Sequence, residues 1–355
     1  MIALLMAGGV ALAVSLVGTR YLIELLLRHK IGQPIRADGP QGHITKAGIP
    51  TMGGVAIVIG AFVGYLVAHV RSRVIFTRSG IFVMLLIVGA GVVGLLDDWI
   101  KVTRERNLGL NKRTKVLGLL LVAGLFGTAV VRYTGVHTEL SFTRCSSFGH
   151  GNLLHIHFSP LVWVIWAIFL IMASSNGVNL TDGLDGLAAG SSLFAFIAFT
   201  IMGFWAFRNF ELYQVEHALD LAVVAAAMLG AIAGFLWWNA PPARIIMGDT
   251  GSLAIGAGLA GLALTLNTQL LLPIVGALYV LETLSVILQV ASFRTFGRRI
   301  FRMAPIHHHY ELRGWPETTV VVRFWIISGL CTALALGMYY ADFANTPVPY
   351  LRCAA

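Results

Sequence analysis

The chain has 355 residues, of which 57% are hydrophobic and only 12% charged, with a formal net charge of +9. Soluble domains carry roughly 25% charged residues, so this composition argues against one. The basic residues fall at the ends of apolar runs and form no aromatic-interleaved basic face, which argues against a nucleic-acid binder.

A helix that spans a bilayer needs about 20 mostly apolar residues. Ten candidate runs follow in chain order: 2–27, 51–70, 79–96, 116–131, 160–172, 187–207, 218–238, 252–268, 270–293 and 320–340. The expected fold is an all-α polytopic membrane protein of about ten transmembrane helices, built as a single domain over 1–355. The first run has no basic residue before Arg20. A signal peptide has a positive n-region, so this run reads as a retained span. The 39 glycines suit close helix contacts in a membrane bundle. The loops after spans one, three, five, seven and nine hold 16 Lys and Arg, against 7 in the other loops and the C-terminus. The positive-inside rule then puts the first group in the cytoplasm and both termini outside.

The exterior segment 133–159 carries His137, His150, His155 and His157. It lacks zinc-finger spacing and reads as a solvated loop. Cys145, Cys331 and Cys353 show no metal-site spacing. Cys145 and Cys353 fall on one side and can pair, though nothing requires it. Inside the spans, Arg20 and Glu24 are one helical turn apart and read as an ion pair. Asp220 reads as interfacial. For Glu282 a structural hydrogen bond and a role beside a lipid groove are both open.

Five cytoplasmic segments combine acids, amides, glycines and histidines. They are KAGIPTMGG (46–54), DDWIK (97–101), NGVNLTDGLDG (176–186), NAPPARIIMGDTGS (239–252) and APIHHHYELRGW (304–315). Polar groups gathered on one membrane face mark a candidate active site. Asp97 and Asp98 close an apolar run. Successive helical residues point about 100° apart, so the two cannot both face one small ion without separate tasks or a bent helix end. Acids at a helix C-terminus oppose its dipole, and adjacent acids raise each other's pKa. A compensating cation is expected there. Asp249 sits in a glycine-flanked turn that opens a span, where phosphate is attracted, although a plain N-cap role fits too. Asp182 and Asp185, with Asn176 and Asn179 upstream, form a dense hydrogen-bonding loop that lacks EF-hand spacing. His307, His308 and His309 would diverge on a helix, which suits phosphate contact or proton transfer better than one zinc ion. Lys46, Lys101 and Lys112 add positive charge. Carboxylates that hold Mg²⁺, with lysines and glycine turns for the remaining oxygens, are what phosphoryl transfer from a nucleotide needs. The membrane setting makes a lipid the expected second substrate.

PTMGG, LLDDWIKV, NLTDGLDGLA, MGDTGSLA and PIHHHYEL, in that order, resemble the phospho-N-acetylmuramoyl-pentapeptide-transferase family, within the polyprenyl-phosphate N-acetylhexosamine-1-phosphate transferase superfamily. The resemblance covers essentially the whole chain, and the HHH segment points to the muramoyl-pentapeptide branch. It implies a bacterial inner-membrane enzyme with a cytoplasmic active site. That enzyme would transfer phospho-MurNAc-pentapeptide from UDP-MurNAc-pentapeptide to undecaprenyl phosphate, giving lipid I and UMP. This is the first membrane step of peptidoglycan synthesis, and it requires Mg²⁺. By resemblance Asp97, Asp98 and Asp249 are the metal-binding and catalytic acids, joined in catalysis by Asp182 and His308. Lys46, Gly183, Leu184, Asp185 and Asn239 match positions near the uridine. Thr51, Asn179, His307 and His309 complete the expected substrate contacts, with Lys101 and Lys112 on phosphate. Some family members carry an aromatic residue at the position of Ile246 that stacks on uracil, and isoleucine cannot stack in that way. A homodimer is expected by analogy. The alternatives are a GlcNAc-1-phosphate transferase that uses UDP-GlcNAc, and more distantly a lipid transporter or flippase, which would show paired broken helices at mid-membrane.

Overall fold

Each apolar run falls on helix in the structure, a computed structural model that describes residues 1–29, 48–72, 74–103, 109–142 and 156–345. The order begins with α1 (Ile2–Arg28), α2 (Gly54–Ser72), α3 (Arg78–Thr103), α4 (Lys112–Tyr133), α5 (Pro160–Thr181) and α6 (Leu187–Arg208). It continues with α7 (Phe210–Tyr213), α8 (Ala218–Asn239), α9 (Gly248–Thr265), α10 (Leu272–Val275), α11 (Ala277–Phe296), α12 (Ile306–Glu311) and α13 (Glu317–Asn345). Among the described residues, nine helices are long and apolar enough to cross a membrane. The expected eighth span, α9, is not among them, because it opens with the polar sequence GDTGS. No strand occurs among the described residues beyond an isolated bridge, Glu139 with His157. His137 and His157 are engaged there by the Gln214 carbonyl and the Thr138 hydroxyl. His150, His155, Cys145 and Cys353 lie outside the described residues.

Two departures from the sequence reading matter. The ninth run, 270–293, is not one helix. Pro273 opens α10, and Gly276 separates that single turn from α11. Proline has no N–H to donate, so a continuous helix through it loses a hydrogen bond. Helices α3 and α5 also run past their apolar segments, to Thr103 and Thr181. Hydropathy marks where the apolar solvent ends, whereas the backbone ladder continues as long as its own bonds are made.

Helices α8 and α9 form the centre. Almost every side chain of α9 from Thr250 onward is buried. α1 packs on α2 and α8, α3 and α5 on α9, and α6 on α8. Small residues allow this approach where apolar burial gives no drive between helices in lipid. A Cβ on Gly230 would stand 2.0 Å from the Gly8 carbonyl oxygen. One on Gly54 would stand 2.0 Å from the Gly251 nitrogen, which binds the start of α2 to the start of α9.

The polar groups collect at the two ends. The N-termini of α2, α4, α6 and α9 meet the C-termini of α3, α5 and α8 at one end. At the other, Asp220 lies in the first turn of α8 and is 1% exposed. It accepts hydrogen bonds from the Thr77 hydroxyl (2.6 Å), the Thr77 N–H (2.9 Å) and the Tyr65 hydroxyl (3.2 Å), and it faces His69 at 2.9 Å. A buried carboxylate needs such partners. Here they tie α2 and the start of α3 to α8. Arg20 and Glu24 pair as expected, at 3.6 Å.

Gly54→Ala should destabilise the protein by about 1–3 kcal/mol through overpacking. Gly9→Ala, whose Cβ would meet nothing within 4 Å, is the control. Thermal unfolding in detergent should show a lower midpoint for the first and none for the second.

Candidate active site

Asp97 and Asp98 lie inside α3, not at its solvated end. They are 3% and 2% exposed. Their side chains diverge as a 3.6-residue turn demands. One oxygen of Asp97 accepts from the Leu110 N–H at 2.8 Å, and the other lies 2.6 Å from Lys101 Nζ, one turn on. Asp98 turns to α9. It accepts from the Thr250 hydroxyl (2.7 Å), the Thr250 N–H (2.9 Å) and the Asp249 N–H (3.1 Å). Asp249 is therefore not the N-cap of α9, because a carboxylate from another helix satisfies those donors.

The three acids converge nonetheless. One oxygen from each of Asp97, Asp98 and Asp249 lies within 4.8 Å of the others. Lys101 Nζ stands among them, 2.7 Å from Asp249 and 3.6 Å from Asp98. Lys115 Nζ reaches Asp249 at 2.7 Å. Asn179 donates to the other oxygen of Asp249 and to the Ser252 hydroxyl. Buried like charges repel strongly, and the two ammonium groups supply the cation expected from the sequence. An all-oxygen donor set at this spacing also fits a hard divalent cation.

The expected lysines divide. Lys101 is in the cluster. Lys112 is exposed at the start of α4 and touches none of the three acids. Lys115, missed in the sequence, is the α4 lysine that pairs with Asp249. It shares a helix face with buried Leu119, four residues on, and that spacing is the signal that could have found it. Lys46 lies outside the described residues.

Two loops frame the cluster. PTMGG pairs with the segment before α9: the Ile246 N–H donates to the Pro50 carbonyl, and the Gly53 and Gly54 N–H groups donate to Ile246 and Met247. Thr51 is buried at this junction. Ile246 is partly exposed beside it. In NLTDGLDG, Asp185 accepts from the Ala243 N–H at 2.9 Å, and Asn239 links the Gly186 N–H to the Ile245 carbonyl. Asp185 and Asn239 thus join the two loops. Leu184 is buried in a small apolar cluster with Leu187 and Phe324. Asp182 is partly shielded from solvent. Burial, and then the charges of Asp249, Asp98 and Asp185, push its carboxyl up to about 8, while a hydrogen bond from the Gly248 backbone pulls the other way.

The three histidines have different partners, although the rings of His307 and His308 touch edge to face with centroids 4.2 Å apart. His307 is fully buried 3.1 Å from Glu282 of α11, itself fully buried. A Cβ on Gly183 would stand 2.3 Å from His307 Nε2, so only glycine lets the loop lie against this ring. His308 faces Glu311 at 2.6 Å. His309 accepts from the Arg302 N–H at 3.1 Å. Partial burial and the charges of Arg313 and Arg302 hold its ring below the ordinary histidine value.

Residues 80–267 match the glycosyl transferase family 4 model, and 46–58 match phospho-N-acetylmuramoyl-pentapeptide-transferase signature 1. The chain is 50% identical to a phospho-N-acetylmuramoyl-pentapeptide-transferase of Frankia casuarinae, over 96% of this chain and 98% of that one. It is 50% identical to the protein of that name from Thermobifida fusca, over 97% and 99%. The protein of that name from Cutibacterium acnes is 46% identical, over 96% and 98%. The chain belongs to the phospho-N-acetylmuramoyl-pentapeptide-transferase family. It is a multi-pass membrane transferase of peptidoglycan synthesis. In this transferase the first matched region runs from α3 to just past α9 and so contains all three clustered acids. The signature ends in α2, where Gly54 meets the start of α9. The histidines of α12 and Glu282 lie beyond both matches.

The raised Asp182 carboxyl sets a pH dependence. A folded value near 8 against an unfolded value of roughly 3.9 stabilises the metal-free transferase most below the unfolded value. That contribution is lost as pH rises through about 8. Asp182→Asn should flatten the fall in stability between roughly pH 5 and 9. Thermal melts in chelator across that range check it, and an unchanged slope would refute the shift.

Proposed function

We propose that the chain transfers phospho-MurNAc-pentapeptide from UDP-MurNAc-pentapeptide to undecaprenyl phosphate, yielding lipid I and UMP, with Mg²⁺ as cofactor. The observation that carries this is the cluster of Asp97, Asp98 and Asp249 with Lys101 and Lys115 at one end of an apolar bundle. Oxygen donors that fit a divalent cation and ammonium groups that suit phosphate, at the end of an apolar bundle, support a site where a lipid headgroup and a soluble nucleotide meet. The loop charges favour a cytoplasmic position for that end, and the bacterial relatives favour a bacterial inner membrane. The names of the relatives favour the muramoyl-pentapeptide donor over UDP-GlcNAc.

In this reading Asp249 and Asp97, with Asp98 packed behind them, would hold Mg²⁺, which would neutralise charge on the donor diphosphate. Lys101 and Lys115 release Asp249 in part and take phosphate oxygens. The lipid phosphate oxygen attacks the β-phosphorus, a new P–O bond forms, and the bond to UMP breaks. Asp97 accepts the proton of a lipid phosphate that arrives as the monoanion. The lipid phosphate is already a competent nucleophile, so no phospho-enzyme is required. His307 is held against the Gly183 loop by Glu282, and His308 and His309 extend along the same short helix toward the sugar side. Gly183, Leu184, Asp185 and Asn239 shape the uridine side, with Thr51 and Ile246 at the edge.

A detergent assay with UDP-MurNAc-pentapeptide and a polyprenyl phosphate should release UMP, stop with EDTA and recover with Mg²⁺. UDP-GlcNAc should give no turnover. Label retained on protein from the UDP substrate alone, with UMP released, would replace direct attack by a phospho-enzyme. Asp97→Ala and Asp249→Ala should abolish transfer in protein that still inserts. Lys115→Met should cost roughly 10²–10³ in kcat, the usual loss of one preorganised charge contact, while Lys112→Ala stays near wild type. Equal loss in both lysine variants would refute the assignment of Lys115. Ile246→Phe should tighten UMP binding, measured by calorimetry, and unchanged affinity would move the base elsewhere.

A further inference from the structure

The three acids are not equivalent. Asp97 and Asp249 bring one oxygen each to within 4.8 Å of one another, and each spends an oxygen on Lys101. An ammonium on a flexible stem can leave and be replaced by another cation. Asp98 keeps only a longer contact with Lys101, at 3.6 Å, and its oxygens are spent mainly elsewhere. One of its oxygens takes both the N–H and the hydroxyl of Thr250, at 2.9 and 2.7 Å, and the other takes the Asp249 N–H at 3.1 Å. These donors belong to the first turn of α9, where backbone N–H groups have no partner within the helix. They cannot leave without unwinding it. Sterics press the same contact. Gly248 has φ +75°, and a Cβ there would stand 2.6 Å from an Asp98 oxygen. A Cβ on Gly94, one turn before Asp98, would stand 2.3 Å from the Asp249 carbonyl oxygen.

We infer that Asp98 is a positioning residue, the cap that α3 supplies to α9, and that Thr250 is its partner in aiming the Asp249 carboxylate. Asp97 and Asp249 are then the acids that would hold the divalent cation. This rests on the reading that the cluster holds such a cation, but the cap itself does not depend on it.

Two measurements on the full chain in detergent separate these claims. Mn²⁺ binding, followed by electron paramagnetic resonance, should vanish in Asp249→Asn and weaken by no more than about tenfold in Asp98→Asn and Thr250→Val. Without metal, the amides of Asp249 and Thr250 should exchange roughly fivefold faster in Asp98→Asn and Thr250→Val, as loss of a helix cap requires. Thr250→Ser should restore slow exchange. In the UMP-release assay Thr250→Val should lower kcat at unchanged donor KM, and Thr250→Ser should recover it. Should Thr250→Val fail to insert, Thr250→Ala reads the same quantities. Loss of Mn²⁺ in Asp98→Asn as complete as in Asp249→Asn, with amide exchange unaltered, would overturn the inference. If the wild type binds no Mn²⁺, the cation reading fails, and unaltered exchange in Thr250→Val would then overturn the cap independently.

Discussion

Three carboxylates buried at one end of an apolar bundle repel one another, and the site depends on how that repulsion is relieved. Lys101 relieves it first, from within the same helix as Asp97 and Asp98. Lys115 adds a second positive charge from α4. Hydrogen bonds from the Thr250 side chain and from backbone N–H groups of α9 do the rest, and they hold Asp98 without any ion. Desolvation makes uncompensated charge far more costly than in water. The lysines, the helix start and the glycine contacts around them are therefore one device. Its net effect is a patch of balanced buried charge whose oxygen donors fit a divalent cation.

The bundle supplies the rigidity that such a site needs. α9 is packed on several sides and carries Asp249 in its first turn. Gly54 against Gly251 brings the start of α2 to the same point. Asp185 and Asn239 stitch the NLTDGLDG loop to the segment that precedes α9. Groups mounted on helix ends whose partners are locked move little, and a preorganised charge site loses its advantage if it must rearrange. At the far end, Asp220 and its partners fasten α2, α3 and α8, so the same helices are fixed at both ends.

Much of this was legible in the chain. The apolar runs gave the helices, because a bilayer leaves the backbone no other partner than itself. The acids of DDWIK stood out because they oppose a helix dipole and each other, whereas Asp249 of MGDTGS stood out only as an acid in a glycine-flanked helix start, where a plain cap also fits. Lys115 did not stand out: in KRTK three cations sit within four residues, and only packing of Leu119 selects which one turns inward. The partners of Asp220 were equally hidden: Tyr65, His69 and Thr77 lie more than 140 residues away. The break at Gly276 was hidden by unbroken hydropathy, which does not register a missing proline N–H.

The sequence by itself determined the helical membrane class, the family and the short list of acids and histidines. Those follow from local quantities: hydropathy, charge placement and the order of motifs. Only the tertiary structure decided the task of each acid. Asp97 and Asp98 are neighbours of one residue type, and a 100° turn of helix sends one toward a lysine and the other into the first turn of α9. That division depends on what stands opposite each side chain, which is set by helices distant along the chain.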